Sequence, residues 1–159
     1  MRKPLVSLVI TLLVLAALLL VARALIPRFS HSVAQGPVER DGGRRLADCP
    51  GSPNCQGSDA SEPERRVEPL PMKGSGDETM AALVALIDVR PDAAVVNREG
   101  DYLHATFTSS IVGYIDDVEF LVDESAGIVR IRSASRIGRS DLGANARRVE
   151  ALREAWARG

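Results

Sequence analysis

Apolar and polar positions divide the chain into three stretches. From Pro4 to Ala22 no charge interrupts a run dominated by Leu, Val, Ile and Ala. As a helix, about 19 residues rising 1.5 Å each reach across roughly 30 Å of hydrocarbon. Lipid offers no partner for a bare peptide group, so this run is expected to be helical, and Pro4 suits its first position. Between Pro27 and Pro71 large apolar residues are sparse and seven of the nine prolines occur, a pattern that predicts a loop-rich connection. Val67 to Leu70 could add a short edge strand there, where Pro69 is tolerated.

Regular periodicity begins after this stretch. Ser75-Gly76-Asp77-Glu78 reads as a capping box. Met80, Leu83, Val84 and Ile87 follow at helical spacing as far as Asp88, and Arg90-Pro91 stops the helix. Four strands are predicted at 93–98, 102–109, 115–123 and 128–135. Their short connections imply antiparallel neighbours. A final helix is expected over 143–158, with Leu142, Ala146, Val149, Leu152 and Trp156 as its apolar stripe. The fold class expected is α+β: a four-stranded antiparallel meander with two helices on one face, in the order helix, four strands, helix. The implied organisation is an anchor at 1–26, a connection at 27–71 and a domain at 72–159.

A cleaved signal peptide is the rival reading of the first stretch. Ala22-Arg23-Ala24 fits the small-x-small rule with Arg in the middle, and Ser32-Val33-Ala34 lies far from the apolar run. The run is longer than a signal peptide's apolar core, which favours an uncleaved single-pass anchor. Arg2 and Lys3 flank one end, and Arg23 and Arg28 the other, so charge leaves orientation open. Cys49 and Cys55 flank a Pro/Gly turn. They suit a disulfide, with free thiols as the alternative, and a disulfide places the domain in the periplasm or outside the cell. Two Cys at this spacing match no common zinc site, and no metal or cofactor is expected. A net charge of −1 and an aromatic content of 4% argue against nucleic acid.

Strand alternation predicts which side chains share a face. With Leu103, Ala105, Phe107, Val118, Phe120, Val122, Val129 and Ile131 turned to the core, His104, Asp117, Glu119, Arg130 and Arg132 gather on the reverse. The plainer reading of that face is a solvated surface with cross-strand ion pairs. The functional one is a polar site where His104 exchanges a proton with a carboxylate. The stretch from Arg132 to Asn145 adds Ser133, Ser135, Arg136, Ser140, Asp141 and Asn145 as binding candidates. Arg136 and Ser140 precede a helix N-terminus, where an anion is favoured, although Asp141 or Ser140 as the N-cap would fill that position. No nucleophile elbow or metalloprotease motif is present.

Several runs carry a resemblance: Cys49-Pro50 with Ser52-Pro53-Asn54-Cys55, Tyr102-Leu103-His104-Ala105, Asp116-Asp117-Val118-Glu119-Phe120, Arg132-Ser133-Ala134-Ser135-Arg136, Ser140-Asp141-Leu142-Gly143 with Asn145, and Arg148-Val149-Glu150. From about Cys49 to the C-terminus the chain resembles the bacterial and plastid family called domain of unknown function 1499. The Asp-Asp-Val-Glu-Phe and Arg-Ser-Ala-Ser-Arg runs are its specific marks. The resemblance implies an envelope or membrane setting and carries over no catalytic residue. The expected partners are thus the membrane, through the N-terminal helix, and an anionic small molecule, a lipid or an envelope protein. A binding module of the envelope is the leading function. A hydrolase-like enzyme using His104 with Asp117 or Glu119, and Arg132 or Arg136 for an anion, is the alternative. A structural subunit of a membrane complex is a third possibility.

Overall fold

The computed structural model describes residues 2–159. Met1, the first residue of the expected anchor, lies outside them, as do the side chains of Arg2 and Lys3. Helix α1 spans Arg2–Leu25 and runs into a single 3-10 turn at Ile26–Phe29. One stretch here, Pro4–Phe29, is long and apolar enough to cross a membrane, and none of it is buried by the rest of the chain.

The stretch expected as a loop-rich connection supplies four short strands: β1 Pro37–Arg40, β2 Gly43–Leu46, β3 Cys55–Gly57 and β4 Leu70–Pro71. β1 and β2 pair as a hairpin. Asp41 and Gly42 sit between them at φ values of 53° and 77°, the left-handed pair that a two-residue hairpin turn requires. Helix α2 then covers Gly76–Asp88. It is followed by β5 Ala93–Glu99, β6 Tyr102–Thr108, β7 Ile115–Asp123, β8 Ile128–Ser135 and helix α3 Ala144–Arg158.

The sheet order is β3-β8-β7-β6-β5, with β4 also on β8, and every pairing is antiparallel. The expected four-stranded meander is therefore four consecutive strands, β8-β7-β6-β5, of a six-stranded sheet that β3 and β4 extend on the β8 side. β8 would otherwise present an open row of N–H and C=O groups, and the two short strands cover it. Strands of two or three residues carry no alternation to read.

Both helices pack on one face of the sheet. Met80, Leu83 and Ile87 of α2 and Val149, Leu152 and Trp156 of α3 join Leu103, Phe107, Phe120 and Ile131 in one apolar cluster. Ser75 caps α2 through the expected capping box: its hydroxyl accepts from the Glu78 N–H at 3.3 Å, and Glu78 accepts from the Ser75 N–H at 2.8 Å. The stripe of α3 differs from expectation at its start. Gly143, at φ 78°, is the N-cap, so Leu142 precedes the helix and is 86% exposed. Ala146 also faces solvent, and Asn145 is buried in their place.

Candidate functional site

The reverse face of the sheet is built by register. Glu119 lies opposite His104 on β6 and opposite Arg132 on β8, and Asp117 lies opposite Thr106. Alternation therefore brings His104, Asp117, Glu119, Arg130 and Arg132 to one side. That side is not solvated: Asp117 and Glu119 are 0% exposed and Arg132 is 1% exposed. The chain leaving the anchor crosses it. The Val33 N–H donates to Asp117 Oδ2 at 2.7 Å, and the Gln35 and Gly36 N–H groups donate to Glu119 Oε1 at 3.1 and 2.9 Å. Residues 30–36 thus form a strap held by two buried carboxylates.

Each carboxylate is also paired with an arginine. Arg132 Nη1 donates to Glu119 Oε2 at 2.6 Å and to the Val33 carbonyl at 3.2 Å. Arg136 reaches Asp117 through Nε at 3.1 Å and Nη2 at 2.7 Å. This two-point geometry is the strong form of an arginine–carboxylate contact. His104 Nε2 lies 2.7 Å from Asp117 Oδ1, and the Tyr102 hydroxyl donates to Glu119 at 2.8 Å. Farther along the face Arg130 is 2.7 Å from both Asp59 and Asp123. Asp59 in turn accepts the Leu46 N–H at 2.9 Å, which fixes the end of the hairpin.

The remaining candidates belong to a second network on the helix side. Ser133 Oγ donates to Asn145 Oδ1 at 2.6 Å. Asn145 Nδ2 lies within reach of Ser135 Oγ, the Asn54 carbonyl and Asp141 Oδ2, at 2.9, 2.9 and 2.8 Å. Asn145 thereby joins β8, the start of α3 and the loop closed by the Cys49–Cys55 disulfide. Asp141 accepts the Gly143 and Asn145 N–H groups at 3.0 and 2.7 Å, so its carboxylate fills the place an anion would take at this helix end. Ser140 stays exposed, its hydroxyl accepting the Leu142 N–H at 3.4 Å.

Alternation puts Tyr102 on the polar face beside His104, but sequence reasoning missed Asp59, Asp123, Asp116 and Arg148 as members of these networks. Arg148 links the two serine-side partners: it donates to Ser133 Oγ at 3.1 Å, to Asn145 Oδ1 at 2.6 Å and to Asp116 Oδ2 at 2.5 Å. Asp116 sits one residue from Asp117, so alternation alone assigned it to the other face. The Asp59 pairing spans 71 residues of chain, a separation no local pattern reports.

The electrostatics follow from these contacts. Burial acts to raise the Asp117 pKa, but hydrogen bonds from His104, Arg136 and the Val33 N–H outweigh it and hold the carboxyl well below the usual range. Hydrogen bonds from Ser125 and Arg130 lower Asp123 to about 2. Burial first, and the neighbouring Glu119 charge second, push the Tyr102 phenol upward. A carboxylate this acidic is itself a weak proton acceptor at neutral pH. Arg132 and Arg136 also stand where a cation beside these carboxylates would have to sit. Two cavities, of about 540 and 560 Å³, are lined by residues other than His104.

The class these features define is an α+β domain with a six-stranded antiparallel sheet, a disulfide and an N-terminal apolar helix that serves as anchor or signal. The chain belongs to the family described as "Protein of unknown function (DUF1499)", which matches residues 45–156. No curated protein and no solved structure matches it.

Proposed function

We propose that this chain is a non-catalytic interaction module of the cell envelope, fixed to the membrane by an uncleaved α1 with its domain on the extracytoplasmic side. The observation that carries this reading is the strap. The carboxylates and arginines that looked like a reaction site bind the backbone just past the anchor, so the polar face couples the domain rigidly to α1. The Cys49–Cys55 disulfide supports an oxidising compartment. Against the hydrolase-like alternative stands the packing of His104, which is 7% exposed and faces a carboxylate already engaged by Arg136 and Val33.

The test has two parts. A phosphatase active only after export, fused behind Gly159, is expected to be active, and the protein is expected to stay in the membrane at its full mass. A cytoplasmic or processed product refutes the anchor. A His104→Gln variant keeps a hydrogen bond to Asp117 but cannot shuttle a proton. It is expected to restore fully whatever phenotype deletion of the protein causes. A folded His104→Gln protein that restores nothing would favour the enzyme.

A further inference from the structure

The two ends of the sheet differ in chemistry. One end holds the turns around Asp41, Glu99, Asp101 and Glu124, where Arg40, Arg44, Arg45 and Arg98 stand among the carboxylates and pair with them, as Arg44 does with Asp101 and Arg45 with Asp123. The other end gathers the 109–114 turn, the 136–142 loop and the residues after α2. Outside α1, the exposed large apolar side chains among the described residues are Phe29, Val89, Ile111, Tyr114, Ile137 and Leu142, with Val96 on the β5 edge. All but Val96 lie at this second end or beside the strap's start. Tyr114, Ile137 and Leu142 share the wall of one cavity of about 400 Å³. Leu142 is held outward at φ 52°, a backbone region that disfavours branched side chains.

The anchor ends at the same place. Arg23, one residue past the apolar run, donates through Nη1 to the carbonyl of Ser110 and, at 2.8 Å, to that of Ile111. Gly113, at φ 83°, supplies the left-handed bend of the turn, and Arg23 Cα lies 3.8 Å from where its Cβ would stand. A helix that spans a bilayer places its flanking arginine at the headgroups. The 109–114 turn, bonded to that arginine, is then at headgroup depth. The segments 109–114 and 136–140 contain Arg136 and Arg139 and no Asp or Glu. Asp141, next along the chain, is turned back to its own helix, and Asp92, in the segment after α2, stands 3.4 Å from Arg90.

We infer that this end of the domain docks on the bilayer itself, with Ile111, Tyr114, Ile137 and Leu142 at the boundary of headgroups and acyl chains and Arg23, Arg28 and Arg139 on anionic headgroups. The inference rests on the anchor reading above and extends it. The module lies against its membrane and turns its ion-paired end away. Apolar side chains flanked by basic ones are the combination that binds an anionic interface.

The test uses the full chain in vesicles of phosphatidylcholine and phosphatidylglycerol at roughly three to one, with bromine on the acyl chains as a short-range quencher. Ile111→Trp and Leu142→Trp are expected to lose about half their added emission, while Glu99→Trp at the opposite end loses none. The native Trp156, buried in the core, supplies the unquenched background. Equal quenching at all three positions, or none at Ile111→Trp and Leu142→Trp, overturns the docking. If the chain meanwhile resists alkaline carbonate extraction, the anchor stands and the tip is a surface for a protein. Release by carbonate refutes the anchor and the docking together.

Discussion

Glu119 accepts hydrogen bonds from Tyr102, Arg132 and the amides of Gln35 and Gly36. Removing it leaves a buried guanidinium without its counter-charge, and such a loss typically costs about 3–5 kcal/mol. Glu119→Ala is expected to lower unfolding stability by that amount in urea titrations. Glu119→Leu with Arg132→Met is expected to lose less than the single change, because no bare charge remains buried. A single variant with an unchanged midpoint would show that the pair contributes nothing. Acid provides a second check at this scale. Asp117 and Asp123 titrate lower in the folded chain than in the unfolded one. Their contribution is therefore complete above the unfolded value near 4. It is lost as pH falls toward the folded value, about 2 for Asp123. Circular dichroism across pH 5 to about 2 is expected to show stability falling with acid, and Asp117→Asn to flatten that fall. A profile identical in the variant would remove Asp117 from the acid response.

The strap is an element without regular structure that lies across one face of the sheet. Residues 30–36 form neither helix nor strand, yet they satisfy two buried carboxylates. The family match begins only at residue 45, which suggests a boundary that the hydrogen bonds contradict. A fragment of residues 30–159 is expected to unfold at a clearly higher temperature than one of residues 37–159. The shorter piece forfeits three amide–carboxylate bonds, each worth about 1.5–3 kcal/mol. Equal melting temperatures would mean that water replaces the strap without loss. The sequence hid this element because glycine, proline and small polar residues look alike in a linker and in a strap. The hairpin beside it was less hidden: Asp41-Gly42 is a strong short-range hairpin signal, overlooked because its strands are only four residues long.

At the scale of the whole molecule, local order was readable where the chain repeats a period. The spacing of Met80, Leu83 and Ile87 and the box at Ser75 defined α2, and alternation from Tyr102 to Ser135 placed Glu119 and Arg132 on the same side. Backbone geometry makes these properties local: a helix turns every 3.6 residues and a strand flips every two. The apolar run from Pro4 to Ala22 was equally plain, since crossing hydrocarbon is a matter of length and charge alone. Tertiary structure decided what covers what. Asp59 meeting Arg130, β3 and β4 closing the edge of β8, and Val33 capping Asp117 all join residues tens of positions apart. Only a folded chain can settle whether a carboxylate faces water or an amide, because that depends on which distant segment comes to lie on it.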